Sequence, residues 1–452
     1  KGELKGFISG GSFIPNAGDP TAMSLAPGNY DFVLYPTSRF TRSGNSLRPT
    51  SANRYAILGR TNYTVTATPQ KQKVSFAMKH TAARVRVKFN TYVKVQPSNI
   101  NVSFSAANPA EVPSSAVYDA ATGTWSTSGA GGAFSFGGSS AWTESLGSGI
   151  YSYTSPSYSY IFPGSNITNL KATFSNATIY TENLSGKSLT FDLNPVLASV
   201  ANGSYLINIT FHYNFLYLMT DGTTGLFSET TFGGGTKTPI AVVISQSKKL
   251  AAALEKTSYS GSSYYSYSGQ VNSSVINVSS FSPWEPPTSF LSDGADGYKF
   301  TWEASGSADG ATIKANEQTS YPAFYSAAHY APTLPAGKTL TGSIVGKKWF
   351  LPSLGEIIKI YPALKDIDNS AGYFAQSMGG GMYNNNLWTL DSGYTPITPN
   401  GMASMAFRQV NGVSPNDLMI TSSQSDTGQP IMADYYIKIG GYNGEVRPFI
   451  HY

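Results

Sequence analysis

The chain has no cysteine and few charged residues. The absence of cysteine from all 452 residues excludes disulfides, thiol catalysis and cysteine-ligated metal sites. Charged residues make up only 12 % of the chain, and no run of Lys or Arg indicates a nucleic-acid-binding strip. No stretch of 18 consecutive apolar residues occurs, so the sequence predicts no membrane-spanning helix.

Common catalytic and cofactor motifs are also missing. There is no G-x-S-x-G nucleophile elbow and no P-loop. The H-E-x-x-H and H-x-x-x-H spacings of zinc enzymes are not formed by the four histidines, which are His80, His212, His329 and His451. We therefore expect a non-enzymatic protein without a cofactor. A carbohydrate-active enzyme would need two carboxylates that face each other, and the sparse Asp and Glu do not single out such a pair.

Tyrosine and glycine are abundant instead. The chain has 30 Tyr and 45 Gly, and aromatic residues make up 13 % of it. Short runs that alternate between apolar and polar residues, separated by Gly/Ser-rich stretches, predict many strands joined by loops. Tyr is a good strand residue, and together with Ser and Gly it is also typical of binding surfaces, so both explanations of its abundance stay open.

The clearest alternating runs lie in the first half of the chain. Residues 25–36 and 61–69 predict strands, and residues 73–90 predict a strand pair. In that pair the expected inward side chains are Val74, Phe76 and Met78 on the first strand and Val85, Val87 and Phe89 on the second. Further strands are predicted at 99–105, 170–180 and 203–213, a pattern that indicates β-sandwiches.

The pattern changes after residue 213. A buried strand is predicted at Ile240 to Ile244, and a helix from about Ser247 to Lys256. Residues 347–362, KKWFLPSLGEIIKIYP, predict a second helix with Ser353 as its N-cap and Glu356 at the capping-box position. Strands are predicted at the end of the chain, at 417–425, 433–439 and 445–452.

These C-terminal residues resemble a lectin-like domain of bacterial surface proteins. The resemblance lies in WFLPSLGEI, LMITSSQS and VRPFIHY, where the matching positions include Trp349, Pro352, Ser353, Glu356, Ser422 and Arg447. One departure is that Met419 and Ile420 stand where an aromatic residue usually precedes the serines. The resemblance implies a C-type-lectin-like α+β fold over residues 214–452. We expect the motif residues to be structural, with Glu356 paired to Arg447.

The first half resembles Bacteroidales fimbrillin-like subunits. The runs that carry this resemblance are LAPGNYDFVLYP, VSFAMKHTAARVRVKF and GSYLINITF. It implies two transthyretin-like β-sandwiches, at residues 1–72 and 73–213. The first is short, which leaves open that part of it precedes Lys1. The resemblance also implies export as a lipoprotein precursor and assembly with other pilus subunits by insertion of a donor strand.

We expect the ligand-binding surface in the loop at residues 374–396. Its amides and aromatic rings suit a sugar, and the candidate residues are Asn384, Asn385, Asn386, Trp388, Asp391 and Tyr394. A long ordered loop over a buried Trp388 is the alternative. Asp293 and Asp296 have the composition of a calcium loop but not its spacing, so we favour a polar turn and predict no metal.

Taken together, the sequence predicts a mainly β protein of three units. Two sandwiches would be followed by a lectin-like domain. We expect a surface adhesion protein, as the tip or accessory subunit of a pilus, that binds a host or bacterial glycan or protein. Its location would be the outer-membrane surface. The alternative is a free-standing surface lipoprotein that binds glycans without polymerising.

Overall fold

The computed structural model describes residues 2–96, 100–132, 134–136, 142–180, 182–257, 296–365, 387–388, 401–415, 419–424, 430–433, 437–439 and 444–452. Within these residues the protein is mainly β, and its α-helices lie after residue 296. Each of these helices is too short or too polar to span a lipid bilayer.

Small antiparallel sheets form the N-terminal unit. Its strands are β1 (Gly6–Ser9), β2 (Ser12–Pro15), β3 (Gly28–Leu34), β4 (Phe40–Ser43), β5 (Ser46–Pro49) and β6 (Ile57–Val65). β1 and β2 are joined through Gly10 and Gly11, whose φ values of 54° and 77° favour glycine. β3 pairs with β6, and β4 with β5. Phe40, Leu47 and Leu58 belong to one buried cluster that joins these pairs.

The next strands begin with an exception to the predicted pattern. They are β7 (Lys79–His80), β8 (Ala83–Thr91), β9 (Asn101–Ala106), β10 (Ser115–Asp119), β11 (Thr124–Ser128) and β12 (Ser135–Phe136). The predicted strand through Val74, Phe76 and Met78 is wrong, because pairing starts only at β7. This segment is held by a side-chain hydrogen bond instead: Thr61 Oγ1 donates to the Ser75 carbonyl at 2.6 Å.

Two facing sheets form what we call the middle sandwich. Its remaining strands, with a small hairpin between them, are β13 (Thr143–Gly147), β14 (Ile150–Thr154), β15 (Ser159–Ile161), β16 (Asn166–Asn176), β17 (Thr178–Ile179), β18 (Glu182–Asn183), β19 (Ser188–Ala198) and β20 (Ser204–Thr210). One sheet has the order β13-β14-β8-β15, with β20 parallel to β8; the other has the order β12-β9-β16-β19. The strands predicted near β9, β16 and β20 are confirmed with shifted ends.

The core of the middle sandwich follows the period-2 pattern of its strands. Val85, Val87 and Phe89 of β8 are buried, as predicted. The Phe89 ring lies 4.8 Å from the rings of both Trp142 and Tyr153, measured between centroids. Alternation along one strand therefore positions a three-ring cluster at the centre of the core.

The hairpin of β10 and β11 pairs with the N-terminal unit instead of the middle sandwich. Tyr118 of β10 lies opposite Leu47 of β5, and both are buried in the same cluster. The sheet order is β11-β10-β5-β4. Strands from both sides of residue 72 thus share one sheet, and the expected three-part division of the chain stays a prediction.

The remaining elements form what we call the C-terminal unit. They are β21 (Leu216–Met219), β22 (Thr224–Leu226), β23 (Pro239–Ser245), β24 (Leu250–Ala253), α1 (Gly297–Trp302), α2 (Pro322–Ala328), β25 (Trp349–Phe350), α3 (Leu354–Ile357), α4 (Ile360–Ala363), β26 (Leu387–Trp388), α5 (Met402–Arg408), β27 (Met419–Gln424), β28 (Pro430–Ala433), β29 (Ile437–Ile439) and β30 (Phe449–His451). One sheet has the order β22-β21-β23-β24-β30-β25, and a second has the order β26-β29-β28-β27.

The helix predicted from Ser247 to Lys256 is wrong, because residues 250–253 form β24 at the centre of the larger sheet. Ala251, Ala252 and Ala253 favour a helix by intrinsic propensity. Here β24 pairs with β23 on one side and β30 on the other, and its four residues are fully buried. Small side chains fit a strand that is covered on both faces, so tertiary pairing overrides the local preference.

The helix predicted after Ser353 begins where the sequence indicates but is divided. α3 ends at Ile357, and α4 begins at Ile360. Leu354, Ile357, Ile358 and Tyr361, whose spacing places them on one helical face, are all buried.

The C-terminal unit packs directly on the middle sandwich. One cluster of buried apolar residues runs from β8 through β21 to α5 and β30. A polar contact adds to it: Arg408 Nη2 donates to the Ser148 carbonyl at 2.9 Å. The two parts therefore share a core.

Candidate functional site

The outer strands of the middle sandwich offer backbone groups for pairing. Among the described residues, β19 pairs with β16 and β20 pairs with β8, and neither strand has a second neighbour. Val196 and Val200 lie on or beside β19 with 41 % and 61 % exposure, and Leu206 of β20 is 51 % exposed. A sheet edge beside exposed apolar side chains is a template for a further strand.

The solvent face of β8 is basic. Arg84, Arg86 and Lys88 alternate with the buried valines. The guanidinium carbons of Arg84 and Arg86 lie 4.7 and 4.8 Å from the centroid of the Tyr158 ring. This pairing orients both cations on the surface. The alternating pattern predicted the three cations, but nothing in it pointed to Tyr158.

The predicted motif around residue 349 is buried. Trp349 is 5 % exposed, and its carbonyl accepts a hydrogen bond from Trp302 Nε1 at 2.7 Å. The Pro352 carbonyl accepts the Ser422 N–H at 2.8 Å, which joins the segment before α3 to β27. Trp349, Pro352 and Ser422 thus lie in one buried region, and their structural role stays a prediction.

Glu356 completes the predicted capping box. One of its oxygens, Oε2, accepts the N–H of Ser353 at 2.8 Å and the N–H of Gly297 at 3.1 Å. The side chain therefore closes the start of α3 and reaches the start of α1. Burial raises the pKa of Glu356 to about 6, because the charged form loses hydration there.

Arg447 is fully buried but does not pair with Glu356 as expected. Its guanidinium carbon lies 4.7 Å from the centroid of the Phe407 ring. Its terminal nitrogens donate to four backbone carbonyls, those of Ala253, Leu254, Val413 and Ser414. The expected ion pair is wrong: Glu356 accepts from the N–H groups of Ser353 and Gly297, and Arg447 donates to backbone carbonyls.

The candidate ligand-binding loop lies almost entirely outside the described residues. Asn384, Asn385, Asn386, Asp391 and Tyr394 fall outside them. Trp388 belongs to β26, which pairs with β29 in the smaller sheet. The role of these six residues stays a prediction.

A buried lysine and a mixed cluster have no counterpart in the sequence predictions. Lys314 is 1 % exposed, and its Nζ donates to Ser307 Oγ at 2.6 Å and to the Phe300 carbonyl at 3.3 Å. Burial lowers its pKa to about 8. Asp296 and His451 meet beside Glu356. No motif signals the cluster, because its three residues come from distant parts of the chain. The partners of Lys314 lie only 7 and 14 residues before it, but they follow no regular spacing.

Comparison with known proteins gives one family match. Residues 58–229 match the family described as fimbrillin-like, a span that begins in β6 and includes the whole middle sandwich. Over this span the chain is similar to that family. No curated protein shows a significant match.

Solved structures of candidate cell-adhesion proteins are similar at low identity. One from Bacteroides uniformis is 17 % identical, with a TM-score of 0.29, and the alignment covers 44 % of this chain and 74 % of that one. One from Bacteroides ovatus is 14 % identical, with a TM-score of 0.29, 45 % coverage of this chain and 71 % of that one. A third, from Bacteroides fragilis, is 12 % identical, with a TM-score of 0.22 and coverages of 49 % and 70 %.

Proposed function

We propose that the protein is a cell-surface adhesion protein that joins a fimbria as a tip or accessory subunit. The observation that carries the proposal is the fimbrillin-like match at residues 58–229, a span that includes the two sheets of the middle sandwich. In this proposal the sandwich makes the contacts within the filament. The C-terminal unit, which we propose to be lectin-like, presents the ligand-binding surface.

Assembly by insertion of a donor strand is the proposed mode of joining the filament. It is supported by the edge strands β19 and β20, whose outer backbone groups would pair with an incoming strand. The exposed Val196 and Leu206 would then be covered by the partner. Export as a lipoprotein precursor to the outer-membrane surface belongs to the same proposal.

The assembly proposal is tested by placing a charge on the edge. Leu206→Lys and Val196→Lys are expected to reduce the protein recovered in the sheared-filament fraction of the source bacterium, because a buried unpaired lysine opposes strand insertion. Phe7→Lys, at an equally exposed apolar position of β1, is the matched control and should leave recovery unchanged. Equal surface display of all variants without any filament association would favour the free-standing lipoprotein.

The ligand-binding proposal concerns the loop that contains Asn384, Asn385, Asn386, Trp388, Asp391 and Tyr394. The full chain would be applied to a glycan array beside Trp388→Ala and the control Trp125→Ala, whose ring packs on Tyr118 in the N-terminal unit. Specific binding lost only in Trp388→Ala supports the loop as the site. Absence of glycan binding by the folded chain rejects the sugar ligand and leaves a protein ligand to be sought.

A further inference from the structure

Three side chains from distant segments converge at the start of α1. Asp296 directly precedes α1, Glu356 lies in α3, and His451 lies in β30. Each offers one atom that can bind a metal ion, and these three atoms lie within 4.8 Å of one another. Asp296 Oδ1 and His451 Nε2 are 3.8 Å apart.

Glu356 brings a buried carboxylate to this point. Glu356 is 5 % exposed. The N–H groups of Ser353 and Gly297 both donate to one of its carboxylate oxygens, Oε2. A carboxylate that is largely buried is costly to keep charged, and a cation would offset this cost.

His451 is oriented so that Nε2 can be a ligand. Its Nδ1 lies 3.2 Å from the Lys248 carbonyl oxygen, which can only accept a hydrogen bond. Nδ1 therefore carries a proton, so in the neutral ring Nε2 has the free lone pair, and Nε2 lies 3.8 Å from Asp296 Oδ1. A backbone carbonyl on one ring nitrogen with the metal on the other is the common arrangement of histidine ligands. Stacking of the ring on Phe350, with centroids 5.0 Å apart, restricts its rotation.

Asp296 gives the cluster an open side. Its Oδ1 accepts the N–H of Tyr298 at 2.9 Å, which fixes the side chain as the N-cap of α1. The side chain is 48 % exposed, so solvent reaches the cluster from this direction. A water molecule can therefore supply a further ligand.

We propose that Asp296, Glu356 and His451 bind one divalent transition-metal ion, for which Zn²⁺ is the best match. Two carboxylates and a neutral imidazole balance a double positive charge, and the imidazole disfavours Ca²⁺ and Mg²⁺. Bonds of about 2.0–2.2 Å place tetrahedral ligand atoms about 3.3–3.6 Å apart. The Asp296–His451 separation is 3.8 Å and all three ligand atoms lie within 4.8 Å, so side-chain rotation must bring them closer when the ion binds.

The ion would link three segments of the C-terminal unit. β30, α3 and the start of α1 are held together there by the three ligands. Binding is then coupled to the stability of the unit, because the ligands are brought together only in the folded chain. This inference does not depend on the proposed adhesion function.

The first experiment uses the full chain after treatment with EDTA. Zn²⁺ is titrated by calorimetry and during thermal unfolding, with Ca²⁺ and Mg²⁺ in parallel. We expect one Zn²⁺ per chain and an unfolding temperature that rises with Zn²⁺ concentration, with smaller shifts for the other two ions. No saturable Zn²⁺ binding, or equal shifts with all three ions, overturns the proposal.

Matched substitutions remove each ligand while keeping its local hydrogen bond. In Asp296→Asn the new side chain can still cap α1, because Asn caps helices as Asp does. In Glu356→Gln the amide oxygen can accept the same two N–H groups. In His451→Asn the amide N–H can reach the Lys248 carbonyl. Each variant is expected to weaken Zn²⁺ binding at least about tenfold.

His329→Asn is the matched control for binding elsewhere. The His329 Nδ1 also lies 2.9 Å from a backbone carbonyl oxygen, that of Tyr325, but this residue is outside the cluster. Its substitution should leave the affinity unchanged. A cluster variant whose circular dichroism spectrum differs from that of the wild type is misfolded and does not test the site. The test then depends on Asp296→Asn, because Asp296 is the most exposed of the three ligands. Unchanged Zn²⁺ affinity in that variant rejects the site.

Discussion

The middle sandwich and the C-terminal unit bury different kinds of side chain. Among the described residues of the middle sandwich, the buried polar side chains are those of Ser and Thr, such as Thr91 and Ser155. In the C-terminal unit, Lys314, Glu356 and Arg447 are buried although all three can carry a charge. The first core is built from alternating strands, whereas the second also contains side chains that bind distant backbone groups.

The reason for this difference lies in the regularity of the backbone. Strands of the middle sandwich satisfy their backbone groups in ladders. Much of the C-terminal unit is irregular, so its carbonyl and N–H groups need side-chain partners. Arg447 and Lys314 supply donors there, and Glu356 supplies an acceptor. Buried charges are therefore tied to irregular backbone in this protein.

Phe89→Ala should have the largest effect in the middle sandwich. Phe89 is 1 % exposed and contacts the rings of Trp142 and Tyr153. Its removal leaves a cavity, and we expect the free energy of unfolding to fall by about 3–5 kcal/mol. Urea unfolding followed by circular dichroism measures this. Phe7→Ala, at a position 55 % exposed, should change it by less than about 0.5 kcal/mol.

Arg447→Met should be nearly as damaging in the C-terminal unit. The substitution leaves four carbonyls, two of them on the buried Ala253 and Leu254, without their charged donor, so we expect a loss of at least about 3 kcal/mol in the same urea experiment. Arg84→Met, on the solvent face of β8, should cost less than about 0.5 kcal/mol. Similar losses for the two arginines would mean that the contrast between the two regions is wrong.

Lys314 should make the stability of the C-terminal unit depend on pH. Burial lowers its pKa to about 8, whereas the unfolded chain keeps the proton until about 10.5. Between these values the unfolded state holds more protons, so this group makes the folded state more stable as pH rises. The slope is at most about 1.4 kcal/mol per pH unit.

The measurement compares wild type with Lys314→Met from pH 7 to 9.5. Both proteins contain the same tyrosines, which also titrate at high pH. The difference between their free energies of unfolding therefore reports the contribution of Lys314 alone. The unfolding free energy of the wild type should increase relative to that of the variant above pH 8. A difference that stays constant over this range contradicts the prediction.

Ser353→Ala should have the smallest effect of the four. The loss of an N-cap typically costs about 1 kcal/mol, and here Ser423 Oγ also accepts the Leu354 N–H at 3.0 Å, which retains part of the cap. Thermal unfolding would detect the shift. Ser305→Ala, at an exposed position, should leave the unfolding temperature unchanged.

Local patterns predict those parts of the fold that depend on local sequence. The alternation in β8, β16 and β20 and the N-cap at Ser353 are both confirmed. Such features are decided by residues within a few positions of each other. The same patterns fail for β24, because its pairing with β23 and β30 outweighs the helical preference of its alanines.

The candidate sites depend on longer-range placement. Glu356 was identified as a capping residue, but its approach to Asp296 and His451 arises from three segments that are distant in the sequence. Opposite charge suggested Arg447 as its partner, whereas the fold provides backbone carbonyls to that arginine. Complementary charge alone therefore does not identify the partner of a buried ionic group.

The larger sheet of the C-terminal unit also has a kinetic consequence. β24 and β30 pair Leu250 with His451, about 200 residues apart, and β30 lies between β24 and β25. Closing such a long loop is slow compared with forming the hairpins of the middle sandwich, such as β13 with β14. During refolding the sandwich should gain protection from hydrogen exchange first. Until β30 arrives, the alanine strand β24 would present an unpaired apolar edge, which is the stage at which aggregation is most favoured.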